Sequence, residues 1–130
     1  MNRLLVDAHA LLWWLDDDES LSPGARHAIG DADKALLGAG TIMEVALKRS
    51  IGRLTIDANW PEHVQADGFE LLSISWRHAA RLQELPFPRV GGRVHRDPFD
   101  RLLAAQALTE RLPVVTCDPA LAAYGVTSVW

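Results

Sequence analysis

The chain has 130 residues, 48% hydrophobic and 23% charged, which is the composition of one globular domain with its own core and excludes a disordered chain. Its 13 Lys and Arg against 17 Asp and Glu give a net charge of −4, so the molecule as a whole lacks a basic nucleic-acid footprint. A single cysteine, Cys117, excludes an intramolecular disulfide and a cysteine-rich zinc site.

The apolar run at residues 3–6 ends at Asp7 and reads as a buried strand, followed by a helix over 8–15. Asp16-Asp17-Asp18-Glu19 reads as a solvated loop. Ser22-Pro23 is a cap followed by proline at the first helical position, opening a helix that runs to about Ile29. A weak strand pattern covers 35–39, and a helix covers 41–51, with Ile42, Val45, Ala46 and Leu47 inward and Gly52 ending it. Asn59-Trp60-Pro61 starts a short helix, 69–74 reads as a strand and 76–85 as a helix. Residues 86–98, with three prolines and Gly91-Gly92, read as a long loop. A helix over 99–111, a strand over 114–116, a helical turn over 119–123 and a last strand over 126–129 complete the chain. Strands alternate with helices, which predicts a three-layer α/β/α domain with a mostly parallel central sheet, one domain spanning residues 1–130. No run approaches the ~20 apolar residues of a membrane span, and the N-terminus lacks the apolar core of a signal peptide, so a soluble cytoplasmic domain is expected.

In a parallel sheet the carboxyl ends of all strands share one edge, where ligands bind. Asp7 closes the first strand, Asp118 follows the strand at 114–116, and Glu44 lies one turn into the helix after the second strand. Asp100 falls in the first turn of the helix after the long loop. Each has a second reading as a helix cap. Thr41 to Glu44 matches a capping box, Asp97 with Asp100 nearly so, and Asp7 and Asp118 fit N-caps. Four acids aimed at one crevice would nonetheless repel strongly and require a cation. Lys34 and Lys48 are the only lysines, and neither is expected there. A divalent ion on oxygen ligands, magnesium or manganese rather than zinc, is the simplest solution, and metal-assisted phosphodiester hydrolysis is the chemistry that follows. Charge is also uneven: residues 1–70 hold 6 bases and 12 acids, residues 71–130 hold 7 bases and 5 acids. Arg77, Arg81, Arg89, Arg93, Arg96 and Arg101 fall close together, a residue type suited to phosphate or equally to a solvated face.

The segments Leu4 to Trp14, Met43 to Lys48 with Gly52-Arg53-Leu54, HRDPFDRLLAAQA at 95–107 and Val114 to Pro119 resemble the PIN-domain ribonuclease toxins of the VapC type. The resemblance extends from residue 4 to about 126, and HRDPFDRLLAAQA is its most specific part. It implies a PIN-like fold and a Mg2+- or Mn2+-dependent endoribonuclease acting on RNA. It also implies the toxin of a type II toxin–antitoxin pair, a homodimer neutralised by a small antitoxin. By the same match Asp7, Glu44, Asp100 and Asp118 form the acidic catalytic and metal-binding set, with Asp97 the cap before Asp100. Arg93, Arg96 and Arg101 are the candidate substrate-binding residues. Family members commonly carry Thr where this chain has Ala8, and Ser and Trp where it has Thr41 and Met43. Thr116 could hydrogen-bond a site carboxylate.

His9, His78 and His95 read as structural before they read as ligands, and His27 and His63 as surface residues. The five tryptophans read as packing residues, with Trp13 and Trp14 also able to serve a partner surface. Cys117 lacks a visible general-base partner. Two other functions compete. A phospho-acceptor receiver domain wants clustered acids after the first strand and a late lysine, and here Asp7 stands alone with no lysine after position 48. A non-catalytic PIN-like module that binds RNA or an antitoxin is the alternative, and Ala8 is the one residue that favours it.

Overall fold

The computed structural model describes all of residues 1–130. Strand β1 (Arg3–Val6), helix α1 (Ala8–Leu15), helix α2 (Pro23–Asp31), strand β2 (Lys34–Gly38) and helix α3 (Ala39–Ser50) make the first part. Helix α4 (Trp60–Ala66), strand β3 (Glu70–Leu72) and helix α5 (Trp76–Glu84) follow. Then come strands β4 (Arg89–Val90) and β5 (Arg93–Val94), helix α6 (Pro98–Glu110), strand β6 (Val114–Val115), helix α7 (Pro119–Ala123) and strand β7 (Ser128–Val129).

The central sheet has the order β3-β2-β1-β6-β7, and every neighbouring pair in it is parallel. Strand β1 beyond Arg3, strand β6 and the second half of β2 are buried and apolar, the pattern expected of parallel strands covered on both faces. Side chains alternate across the sheet. Leu4, Val6, Leu37 and Val115 enter one core with Leu11, Ile29 and Phe69, while Leu5, Leu36 and Val114 enter the other with Leu103, Leu121 and Tyr124. These two cores are what make the domain three-layered. The strand order also departs from the receiver arrangement, because the chain adds β2 and β3 successively on one side of β1 before crossing to β6 on the other. That crossing makes the junction of β1 and β6 a topological switch point, where a crevice opens at the carboxyl ends of the strands.

Helix starts follow local chemistry closely. Ser22 accepts from the Ala25 amide ahead of Pro23, and Ser75 forms a reciprocal capping box with His78. Asp97 accepts from the amides of Phe99 and Asp100 ahead of Pro98. Three expectations are corrected, one of them that Ala46 and Leu47 face inward, since both are exposed. Helix α3 starts at Ala39, directly off β2, with Gly38 as its N-cap. Thr41 therefore lies inside the helix and forms no capping box with Glu44. Gly38 has an ordinary φ of −68°, and its missing side chain admits α6, since a Cβ there would collide with Gln106 Oε1. The third correction concerns residues 86–98, which contain an antiparallel hairpin, β4 paired with β5. Gly91 and Gly92 both have positive φ (60° and 79°), as a two-residue hairpin turn that matches strand twist requires. No helix is long and apolar enough to cross a membrane.

Candidate active site

The register of β1 and β6 builds the centre of the site. Val6 lies opposite Val115, so the next residue on each strand, Asp7 and Thr116, meet at the carboxyl edge. Asp7 is buried. Its Oδ1 accepts from the Ala10 amide at 2.8 Å, and its Oδ2 accepts from the Thr116 hydroxyl. The expectation that Thr116 serves a site carboxylate holds. Burial pushes the Asp7 carboxyl above its ordinary value, against the opposing pull of these two hydrogen bonds.

Asp118 follows β6 and caps α7 through a 2.9 Å bond from the Ala120 amide. Its own amide donates to Thr116 Oγ1 at 3.0 Å, so Thr116 ties the two acids of the switch point together. Glu44 reaches the same edge from α3, and Asp100 from the first turn of α6. Asp7, Glu44, Asp97, Asp100 and Asp118 all line one cleft of about 150 Å³, together with His9, Thr41 and Lys48. This is not the largest hollow of the molecule, since one of about 580 Å³ lies beside Leu15, Trp60 and Asp67. The acids assigned from sequence nevertheless converge on the smaller one.

Two nitrogen-bearing side chains pair with the cleft acids, Lys48 from within the cleft and His95 from behind it. Lys48 Nζ lies 2.9 Å from Glu44 Oε2, one helical turn along α3, which corrects the expectation that no lysine reaches the crevice. The spacing of four residues on one helix was the available signal. His95 Nε2 lies 3.0 Å from Asp100 Oδ2. Burial, followed by repulsion from Asp97, raises the Asp100 carboxyl from 3.8 to about 6, while the His95 bond pulls the other way. Unlike Asp97, Asp100 makes no cap bond to the start of α6, so capping does not account for its position.

The donor chemistry fits a hard divalent cation: carboxylate oxygens, no thiolate, and a buried acid whose neutral form is favoured by desolvation. Asp100 Oδ1, Asp118 Oδ2 and Glu44 Oε1 accept no hydrogen bond, unlike both oxygens of Asp7. No group of three His, Cys, Asp or Glu side chains is already gathered into a finished ligand cluster. The fit is one of chemistry and convergence.

The three candidate substrate-binding arginines separate. Arg93, on β5, and Arg96 are exposed. Arg101 is buried, and its guanidinium donates to the carbonyls of Pro86 (2.8 Å) and Leu85 (3.4 Å) and stacks 3.9 Å from the Phe87 ring. Its place among the phosphate-gripping residues is therefore corrected. This buried guanidinium, bonded through Nη1 and Nη2, holds the segment before the hairpin. Trp13 packs edge-on against Trp130 and Trp14 against Phe69, as packing residues do. Trp76 departs from that reading, with 93% of its surface exposed. Cys117 is exposed, and its thiol is pushed up by partial burial and by the Asp7 and Asp118 carboxylates, which disfavours the thiolate a nucleophile needs.

Over residues 4–126 the sequence matches the PIN domain family. Across 127 residues it is 28% identical to Ribonuclease VapC22 of Mycobacterium tuberculosis (strain ATCC 25618 / H37Rv), covering 95% of this chain and 93% of that protein. Its fold is similar, with a TM-score of 0.65 at 12% identity, to a chain in the crystal structure of VapBC2 from Rickettsia felis bound to a DNA fragment from their promoter. That likeness covers 97% of this chain and 96% of the other.

Proposed function

The chain belongs to the PIN domain family, and from that premise we propose that it is a metal-dependent endoribonuclease, the toxin of a toxin–antitoxin pair. The observation that carries the reading is the convergence of Asp7, Glu44, Asp100 and Asp118 on one cleft at the switch point of a parallel sheet. A relative named as a ribonuclease, matched over nearly its whole length, supports RNA as the substrate.

In this reading the four carboxylates hold Mg2+ or Mn2+, which would supply the positive charge that offsets the phosphoryl oxygens and acidifies an attacking water. The chain's own residues make that possible in three ways. Thr116 and the Ala10 amide fix the Asp7 carboxylate in place. This also answers the absence of a hydroxyl at Ala8, because Asp7 receives one from across the sheet. When ionised, Asp7, Glu44, Asp100 and Asp118 crowd negative charge into the cleft, and a phosphodiester cannot approach it without a compensating cation. Lys48, already at the rim beside Glu44, offers the RNA backbone a point charge, and exposed Arg93 and Arg96 offer planar ones.

The proposal extends to a small antitoxin protein, a homodimer and a cytoplasmic place of action. Met43, Leu47 and Ile51 support a protein partner: they recur every four residues along α3 and its C-cap and expose 62%, 48% and 58% of their surface, an apolar stripe of the kind that marks an interaction site.

The test is direct. Purified chain with Mg2+ or Mn2+ cleaves RNA, EDTA abolishes cleavage, and Asp7→Asn or Asp100→Asn reduces it at least 100-fold while leaving the fold intact by circular dichroism. Full activity in Asp100→Asn overturns the site. Cleavage that survives EDTA overturns the metal.

A further inference from the structure

Asp100 is the end of a hydrogen-bonded chain that reaches into the core behind the cleft. His95 Nε2 contacts Asp100 Oδ2 at 3.0 Å, and His95 Nδ1 contacts the Tyr124 hydroxyl at 2.6 Å. The Tyr124 oxygen in turn accepts from Arg101 Nη1 at 3.3 Å. Three elements therefore converge on one carboxylate: the residue just after β5, the start of α6 and the end of α7.

Every member of this chain is itself fixed. Arg101 is anchored by the Pro86 and Leu85 carbonyls. Tyr124 is 6% exposed within the second core. His95 packs edge-on against the Tyr124 ring with centroids 5.5 Å apart, and its amide donates to the Pro88 carbonyl at 2.8 Å. With Asp100 ionised and His95 neutral, one proton order pairs every contact. An arginine has only donors, so Tyr124 accepts from Arg101 and gives its own proton to His95 Nδ1. His95 Nε2–H is then left to donate to Asp100. A chain that begins at a cation and ends at an anion polarises each bond in the same sense.

We propose that Tyr124 and His95 are positioning residues that hold Asp100 by its Oδ2, leaving Oδ1 as the oxygen offered to the cleft. The inference rests on the reading of that cleft as a cation-dependent nuclease site and adds two residues to it. A carboxylate that turns freely between its two oxygens samples many orientations, whereas one pinned by an oriented imidazole presents a single lone-pair direction. Partners of this kind, one bond removed from a metal, commonly change metal affinity 10- to 100-fold when deleted. Neither residue lines the cleft, so each is placed to act through Asp100.

The experiment uses the full chain and Mn2+ as the probe. Tyr124→Phe removes one hydroxyl and keeps the ring that packs on His95, so it preserves the core. His95→Ala removes the link itself. The expected result is Mn2+ binding weakened about tenfold or more in His95→Ala and a few-fold in Tyr124→Phe, by calorimetric titration. Because the two act in series, the double variant binds no more weakly than His95→Ala, and neither substitution has any further effect in an Asp100→Asn background. A second readout needs no metal: imidazole nitrogen shifts in the apo protein show His95 protonated at Nε2, and Tyr124→Phe lets the Nδ1–H form appear. Mn2+ affinity unchanged in both variants, fully additive effects, or a wild-type His95 protonated at Nδ1 overturns the proposal. A wild type with the Nε2–H form that binds no Mn2+ overturns the cation reading of the cleft and takes the positioning role with it.

Discussion

Asp100 shows how a single residue can set stability against function. Its carboxyl is raised from 3.8 to about 6, so between those pH values the folded chain holds a proton that the unfolded chain has released. Stability therefore falls as pH rises from about 4 to 6, and the cost of ionising Asp100 is fully present above 6. A shift of that size corresponds to an upper figure of about 3 kcal/mol. In metal-free protein, Asp100→Asn is expected to be more stable than wild type at pH 8 by about 1–3 kcal/mol, with the advantage gone by pH 3.5. Urea denaturation with EDTA at the two pH values checks this, and a variant less stable at pH 8 contradicts it. The stabilised variant is also the one expected to lose cleavage, the usual trade at a site built from crowded like charges. Asp7, Glu44, Asp100 and Asp118 were legible in the sequence because strand ends and helix starts locate an acid to within a turn. Lys48 is placed away from the crevice by sequence and His95 is taken as structural, and neither is tied there to Glu44 or Asp100. Their importance comes from the direction of a side chain, and Tyr124 carries no sequence signal that would place it behind Asp100.

At the scale of elements, Asp97 and Asp100 illustrate how one turn of helix holds two acids with different work. Asp97 Oδ1 accepts from the amides of both Phe99 and Asp100, and it is exposed at the start of α6. Asp97→Ala is expected to destabilise the protein by about 1 kcal/mol, whereas Asp97→Asn, which keeps the capping oxygen, changes stability little and leaves RNA cleavage near the wild-type rate. Equal loss of stability in both variants would contradict the cap. The same cap chemistry explains why the expected starts of α2, α5, α6 and α7 fall within one residue of the observed ones, each having Ser or Asp ahead of it and all but α5 having Pro as its first residue. Helix α3 was misplaced because its cap is Gly38, which signals nothing by a side chain and is required by the close approach of Gln106. The β4–β5 hairpin was read as a loop for a related reason. Two-residue strands leave no periodicity, although Gly91-Gly92 was itself the turn signal.

For the whole molecule, the distribution of charge decides whether an acidic protein of net −4 can take a polyanion. The acids named from sequence lie in one cleft, while Arg89, Arg93 and Arg96 are exposed on and beside the hairpin whose end supplies His95. Burial of Arg101 leaves the hairpin arginines as the surface cations joined directly to the segment that reaches Asp100. If they hold the RNA backbone, binding depends on counterion release, and each lost phosphate contact lowers the slope of log affinity against log salt by about 0.7 for a single strand. Replacing both Arg93 and Arg96 by Ala in an Asp7→Asn chain is then expected to weaken binding of a labelled oligoribonucleotide at low salt and to reduce that slope by up to about 1.4. The loss should be similar for unrelated sequences, because backbone contacts position a strand without reading it. A slope identical to that of the parent Asp7→Asn chain would place the RNA path elsewhere on the surface. Arg77 and Arg81, exposed on α5 beside the solvent-facing Trp76, would be the next cations to replace.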